Sequence, residues 1–208
     1  MATHAWNLPE TPPLANGDRL TRAEFERRYE AAPPGLKAEL IEGVVFVASP
    51  VFIPHAQAHS DINAWLAFFR ATHPGTAVYD NVTVRLDGDN EVQPDLVLVR
   101  TIGGTARTTP EQALEGSPEL AVEVSASSVS YDLNAKMHVY RRNGVQEYIV
   151  WRVYDRAIDW FELRDGAYER LELDARGVIE SHVFPGLRLA VDAMLKGDLA
   201  AVLAEQGR

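Results

Sequence analysis

Cysteine is absent from the 208 residues, which excludes a disulfide framework and any thiolate metal site. No apolar run reaches bilayer-spanning length, and no basic-then-apolar leader opens the chain. The expectation is a soluble cytoplasmic protein with no membrane association. Positive charge is scarce as well: 20 Lys and Arg face 30 Asp and Glu, a formal net charge of −10. Lysine is the rarer cation, with three residues against seventeen arginines. Nucleic-acid binders draw most of their affinity from cations facing phosphate and are usually basic. An acidic chain can bind nucleic acid only if arginine gathers on one face and metal ions neutralise the site. Arg141, Arg142, Arg152 and Arg156 are the candidates nearest the central motif; the plainer reading is that they solvate a surface.

Hydrophobic residues make up 46% of the chain, enough for one buried core at this length. Residues 1–20 are rich in Pro and polar side chains and read as an arm, with Trp6 and Leu8 available for docking. Residues 21–208 read as a single α/β domain. Thr21 and Glu24 form a capping box opening a short helix with Phe25 and Tyr29 inward. Ala38–Ser49 reads as a hairpin turning at Glu42-Gly43. Pro54 opens a helix of about eighteen residues whose inner face is His55, Ala58, Ile62, Trp65, Leu66 and Phe69. A strand over Ala77–Leu86 leads into the turn Asp87–Asn90. Arg100–Ser117 reads as a loop with a helical turn at Pro110–Leu114. Gln146–Arg152 is a strand, Ile158–Leu163 and Tyr168–Leu173 a hairpin, Val178–Val183 a further strand, and Val191–Glu205 a terminal helix.

The centre of the chain carries charge where apolar residues belong. In VQPDLVLV, alternation places Val92, Leu96 and Leu98 on one face and Asp95, Val97 and Val99 on the other, with Pro94 interrupting the ladder. In ELAVEVSASS, Leu120, Val122 and Val124 oppose Ala121, Glu123 and Ser125. A helix follows, with Asp132 at its N-cap and Gly144 past its end. On it, Lys136 shares a stripe with Leu133, Met137 and Tyr140. Buried charges must be paired or must coordinate a metal. Asp95, Glu123 and Lys136 meeting around one divalent cation is the economical solution, and it describes a nuclease-like centre. The structural alternatives are a strand-entry aspartate and a metal-free buried Glu–Lys pair. Ser125, Ser127 and Asp132 read as loop-shaping and capping residues, and Tyr140 and Tyr148 as core.

The order strand, strand, helix, strand, with Asp on the first, Glu on the second and Lys nearby, resembles the PD-(D/E)XK nuclease superfamily. Pro94-Asp95 supplies the first motif. Glu123-Val124-Ser125 occupies the second, except that Ser125 stands where the lysine is usual and Lys136 sits on the following helix. That displaced lysine, with EVSASSVSYDLNAK, YRRNGVQEYIVW, AELIEGVVFVASP, QPDLVLV and PGLRLAVDAML, resembles the Uma-type family of bacterial restriction endonuclease-like proteins over roughly Leu20–Leu195. The resemblance implies a restriction endonuclease-like core, in which a mixed central β-sheet is flanked by α-helices and joined by additional β-hairpins. It also implies a Mg²⁺ ion (Mn²⁺ as substitute), a homodimer, and nucleic acid, DNA foremost, as substrate. Asp95, Glu123 and the Val124 carbonyl are then the metal ligands, since Mg²⁺ takes hard oxygens. Lys136 orients water or stabilises charge, Glu39 is a further metal or water ligand, and His55 (or His59) approaches the scissile phosphate. The competing class is a catalytically silent module of the same fold that binds protein, and a third is a hydrolase of some other phosphate ester.

Overall fold

The computed structural model describes residues 11–207; the docking expected of Trp6 and Leu8 lies outside them. In chain order the elements are α1 (Arg22–Glu30), β1 (Ala38–Ile41), β2 (Val44–Val47), α2 (Ile53–Thr72), β3 (Thr76–Asp80), β4 (Val84–Asp87), β5 (Asn90–Val92) and β6 (Leu96–Arg100). Two short strands follow, β7 (Arg107–Thr108) and β8 (Leu114–Glu115), then β9 (Leu120–Ser125). Next comes a composite helix: α3 (Val129–Tyr131), a π turn (Asp132–Lys136) and α4 (Met137–Arg142). The chain ends with β10 (Glu147–Arg152), β11 (Ala157–Arg164), β12 (Ala167–Arg170), β13 (Val178–Glu180), β14 (Arg188–Ala190), α5 (Val191–Leu195) and α6 (Leu199–Gln206).

Two six-stranded sheets carry the architecture. One runs β2-β1-β5-β4-β8-β7 and the other β12-β11-β10-β9-β6-β3, with β13-β14 as a separate pair. The second sheet is mixed: β9 and β10 are parallel, and its other pairings are antiparallel. A parallel pair requires a crossover, and the composite helix supplies it. Both faces of this sheet are buried. Leu120, Val122 and Val124 pack with α2, α5 and α6 through Trp65, Phe69, Met194 and Val202. Ala121, Tyr148 and Val150 pack with α4 and the first sheet through Val139, Tyr140, Val84 and Val92. The period-2 reading of β9 therefore holds residue by residue, with Glu123 on the side of the composite helix.

Hairpin chemistry also follows the sequence. Glu42-Gly43 and Asp165-Gly166 close their hairpins with both residues at positive φ, 50° and 72° in the first and 47° and 79° in the second, the backbone that matches strand twist. Thr21 caps α1 by accepting from the Glu24 N–H, but Glu24 pairs with Arg27 and Arg28 instead of reaching back.

Other expectations are corrected. The single strand over 77–86 is two strands in different sheets, parted where Asn81 takes φ 50°. Val92 packs with Val97 and Val99 rather than with Leu96 and Leu98. Gln93-Pro94-Asp95 carries the chain from one sheet to the other, which resets the alternation. Pro110–Leu114 is the turn of a small β7–β8 hairpin, closed by Thr109 and Ala113, and not a helical turn. The terminal helix breaks into α5 and α6 at Gly197, whose φ of 73° favours glycine. Asp132 lies inside the crossover helix, whose N-cap is Ser128.

Candidate active site

Five segments, α2 with His55 among them, deliver the predicted residues to one cavity of about 560 Å³ lined by Glu39, His55, Asp95, Glu123, Val124 and Lys136, among others. Glu39 comes from β1, which lies between β2 and β5 in the first sheet. Asp95 occupies the linker between the sheets, and Glu123 sits in the middle of β9. Lys136 closes the π turn. Its Nζ lies 2.9 Å from Glu39 Oε1 and 2.9 Å from Glu123 Oε1. Tyr140, one turn further along the helix, donates to the same Glu123 oxygen at 2.8 Å. Asp95 Oδ2 accepts from the Val124 N–H at 2.7 Å, which ties the linker to β9. Glu39 Oε1 also accepts the Gln93 N–H at 2.7 Å, two residues before Asp95.

The π turn explains how the crossover helix meets this site. The Met137 N–H reaches back to the Asp132 carbonyl, an i→i+5 bond that admits one extra residue into the helix. Asp132 and Lys136 are both buried, whereas Leu133 and Met137 are only partly covered. The inward stripe is therefore Asp132, Lys136, Val139 and Tyr140, one residue out of phase with the expected one at its start. Asp132 Oδ2 accepts the hydroxyls of Ser125 and Ser128, each at 2.5 Å, and its carbonyl accepts the Tyr148 hydroxyl at 3.0 Å. The chain thus uses Asp132 as a buried anchor for the 125–128 turn. Its carboxylate adds to the site's charge, a role that local cap reading could not reveal.

His55 Nε2 stands 3.4 Å from Asp95 Oδ1 and the ring also hydrogen-bonds at the Val124 backbone. His59, one helical turn on, reaches the Asp95 carbonyl at 3.2 Å and Asp80 Oδ1 at 3.4 Å. The two rings lie nearly parallel, 6.0 Å apart. His55 faces the cavity, and His59 braces the backbone behind it.

The electrostatics follow from four carboxylates sharing one ammonium and one imidazole. Full burial drives the Glu123 carboxyl well up against the pull of Lys136, and the charges of Asp132, Asp95 and Glu39 push the same way. Burial disfavours the Lys136 ammonium, but Glu123, Glu39 and Asp132 outweigh it and hold its pKa well above the usual range. Burial also opposes Asp95 ionisation, yet the His55 hydrogen bond and the Val124 N–H overcome it and leave the carboxyl low. The Asp95 hydrogen bond raises His55. The site is short of positive charge, and Glu123 carries the consequence.

Among the described residues no group of three or more His, Asp or Glu side chains is spaced to hold a metal ion. The donor set still suits a hard divalent cation. Mg²⁺ is usually held by one or two carboxylates plus waters rather than by an all-protein cage, and Asp95, Glu123 and the Val124 backbone all line the cavity. The arginines singled out by sequence do not enter it. Arg142 pairs with Glu42 and Asp87, Arg152 with Asp155 and Asp159, and Arg141 bonds the Gly166 carbonyl.

The fold is that of a nuclease-like α/β protein. It resembles the crystal structure of a putative nuclease belonging to DUF820 from Anabaena variabilis ATCC 29413, with a TM-score of 0.67 and 13% identity, over 85% of this chain and 98% of that one. The chain belongs to the Uma2 family, described as "Putative restriction endonuclease", whose model matches residues 22–192. No curated protein matches the sequence. No helix among the described residues is long and apolar enough to cross a membrane.

Proposed function

We propose that this protein is a Mg²⁺-dependent nuclease that hydrolyses phosphodiester bonds, with Mn²⁺ as a working substitute. The observation that carries the reading is Lys136, buried between Glu39 and Glu123 at the edge of a cavity that also holds Asp95. Asp95, Glu123 and the Val124 carbonyl would hold the cation. When bound, the ion polarises a phosphoryl oxygen and lowers the pKa of coordinated water. Lys136 remains protonated between its two carboxylates and presents its charge to oxygens of the scissile phosphate as negative charge builds there. Glu39 fixes Lys136 and, through the Gln93 N–H, the linker bearing Asp95. His55, with its pKa raised by Asp95, stands ready to give a proton to the leaving oxygen. The proposed substrate is nucleic acid, DNA first, acted on by a homodimer.

The test is cleavage of single- and double-stranded DNA and RNA with and without Mg²⁺ or Mn²⁺, using Asp95→Asn and Lys136→Met. Each variant is expected to lose about 10²–10³-fold or more, as removal of one transition-state contact commonly does. Cleavage unchanged in Asp95→Asn would refute this site. Lys136 is already satisfied by two carboxylates, and that favours one competitor, a catalytically silent module of the same fold acting through protein binding. Calorimetry separates the two, since the silent module shows no carboxylate-dependent Mg²⁺ or Mn²⁺ binding at millimolar concentrations. Light scattering decides the oligomeric state.

A further inference from the structure

Four of the seven large apolar side chains exposed on the described residues crowd one place. Val51, Phe52, Ile53 and Tyr154 are 60%, 69%, 84% and 64% exposed. Val51, Phe52 and Tyr154 line the cavity that holds Asp95 and Glu123, and Ile53 follows Phe52 directly as the first residue of α2. Further in, Phe46 and Tyr131 lie against each other with ring centroids 4.4 Å apart, and both belong to the same wall. Apolar side chains gathered this way around a polar floor mark a surface that something covers.

Phe52 is also a costly choice for its position. It is the N-cap of α2, in extended conformation, with no side-chain hydrogen bond to the helix. Ser, Thr, Asp or Asn there would satisfy an orphan N–H. The aromatic ring is not packed in a core either, so folding explains neither its identity nor its exposure.

The chemistry of the occupant follows from what the lining lacks. No arginine lines the cavity among the described residues. Its only lysine besides Lys136 is Lys37, whose Nζ is bonded to Asn81 Oδ1 at 2.9 Å. Glu39, Asp95, Glu123 and Asp132 make the floor acidic. A strand gripped by its phosphates alone finds little hold here, whereas a base gains by stacking on an aromatic face whatever its identity. In a duplex the base faces are already stacked and inaccessible, so flat aromatic rings can act only on a base that is unpaired or turned out. The volume of about 560 Å³ falls among single-ligand sites, well short of a helix.

We propose that the cavity seats one unpaired nucleobase on Phe52 and Tyr154 and that the substrate is single-stranded or locally unstacked nucleic acid. This deepens the nuclease reading and rests on it. The seat puts the base on the apolar rim and its own phosphate over the carboxylates.

The experiment is fluorescence anisotropy of a fluorescein-labelled thymidylate oligomer of about twelve nucleotides, single-stranded or paired with its complement. Ca²⁺ replaces Mg²⁺ in these titrations. The proteins are wild type, Phe52→Ala, Phe52→Trp, Tyr154→Ala and, as an exposed apolar control outside the lining, Ile102→Ala. The single strand is expected to bind more tightly than the duplex. Phe52→Ala and Tyr154→Ala each weaken it roughly fivefold to a hundredfold, the usual loss of one stacking platform. Phe52→Trp retains binding, and Ile102→Ala is neutral. Equal affinity for duplex, or no effect of either alanine, overturns the seat. So does a wild-type dimer that Phe52→Ala turns into monomer with oligomer binding intact, since the patch then belongs to a second copy of the chain. Metal-dependent cleavage that needs Asp95 but ignores Phe52 and Tyr154 overturns the seat and leaves the nuclease reading standing. Phe52-dependent strand binding without cleavage by the wild type supports the seat and removes the nuclease.

Discussion

Replacing Lys136 by Met keeps all but one atom of the side chain's length and removes its charge, leaving Glu39 and Glu123 facing a neutral group in a space where Lys136 is 4% exposed. Removing one partner of a buried pair costs about 3–5 kcal/mol, because the remaining charge is stranded. Here Glu123 has a way out. Its carboxyl is already pushed well up by burial, and losing the ammonium pushes it further, so in the variant it takes a proton. A carboxyl whose folded pKa exceeds its unfolded value contributes stability that is fully present below the unfolded value and is lost as pH rises through the folded one. The stability gap between wild type and variant must therefore be small near pH 5 and grow towards about 3–5 kcal/mol near pH 8. Urea unfolding followed by tryptophan fluorescence at both pH values measures it, with Trp65 and Trp160 fully buried as reporters. A gap of equal size at both pH values, or one below about 1 kcal/mol near pH 8, would refute the reasoning. It would mean that the ammonium is solvated and not held between two carboxylates.

Three further outcomes follow from other buried acids. Burial, together with the hydrogen bond and charge of Glu26, raises Glu91 from 4.5 to about 7 against the pull of Arg85 and Arg22. Its contribution is complete below its ordinary value and lost as pH rises through about 7. Glu91→Gln should thus raise Tm relative to wild type at pH 8 and change it little at pH 4.5, and a calorimetric scan showing the reverse order would sink the argument. Glu147 accepts from the Ser181 hydroxyl and the His182 N–H at 2.7 and 2.9 Å, and from the Val183 N–H and Trp160 Nε1, both at 3.2 Å. Glu147→Ala strands these donors and should cost about 3 kcal/mol or more in chemical unfolding. Asp132→Ala frees the Ser125 and Ser128 hydroxyls and should increase amide exchange in residues 125–132 before it lowers global stability.

The residues of this site were legible because charge stood out against period. Glu123 in an unbroken apolar strand, Lys136 on an inward stripe and Asp95 after Pro94 each violated a local pattern. The fold was legible where the signal was local, as in β9, β10 and the two Gly hairpins. What escaped was set at long range. Nothing local to 77–86 says that its two halves join different sheets. The N-cap reading of Asp132 satisfied every local rule, and only the hydroxyls of Ser125 and Ser128, brought back by the turn, draw it into the interior. Tyr140 read as core, and it is core, but its hydroxyl meets Glu123 because the crossover returns over β9. Glu147 reads as an ordinary strand residue for the same reason, since Ser181, His182 and Val183, three of its four partners, lie 34, 35 and 36 residues ahead. Of the arginines near the central motif, Arg142 and Arg152 are taken up by the protein's own acids and Arg141 by the Gly166 carbonyl.

The linker Gln93-Pro94-Asp95, where the polypeptide leaves one sheet for the other, has a bearing on how such a protein is made. Glu39 arrives with the first sheet, Glu123 with the second, and Lys136 only with the helix that closes over both. A ribosome-bound chain that has emerged as far as β6 holds Glu39 and Asp95 but neither Glu123 and Asp132 nor the lysine. The acidic cavity with its one buried ammonium is therefore assembled only when the two halves have docked.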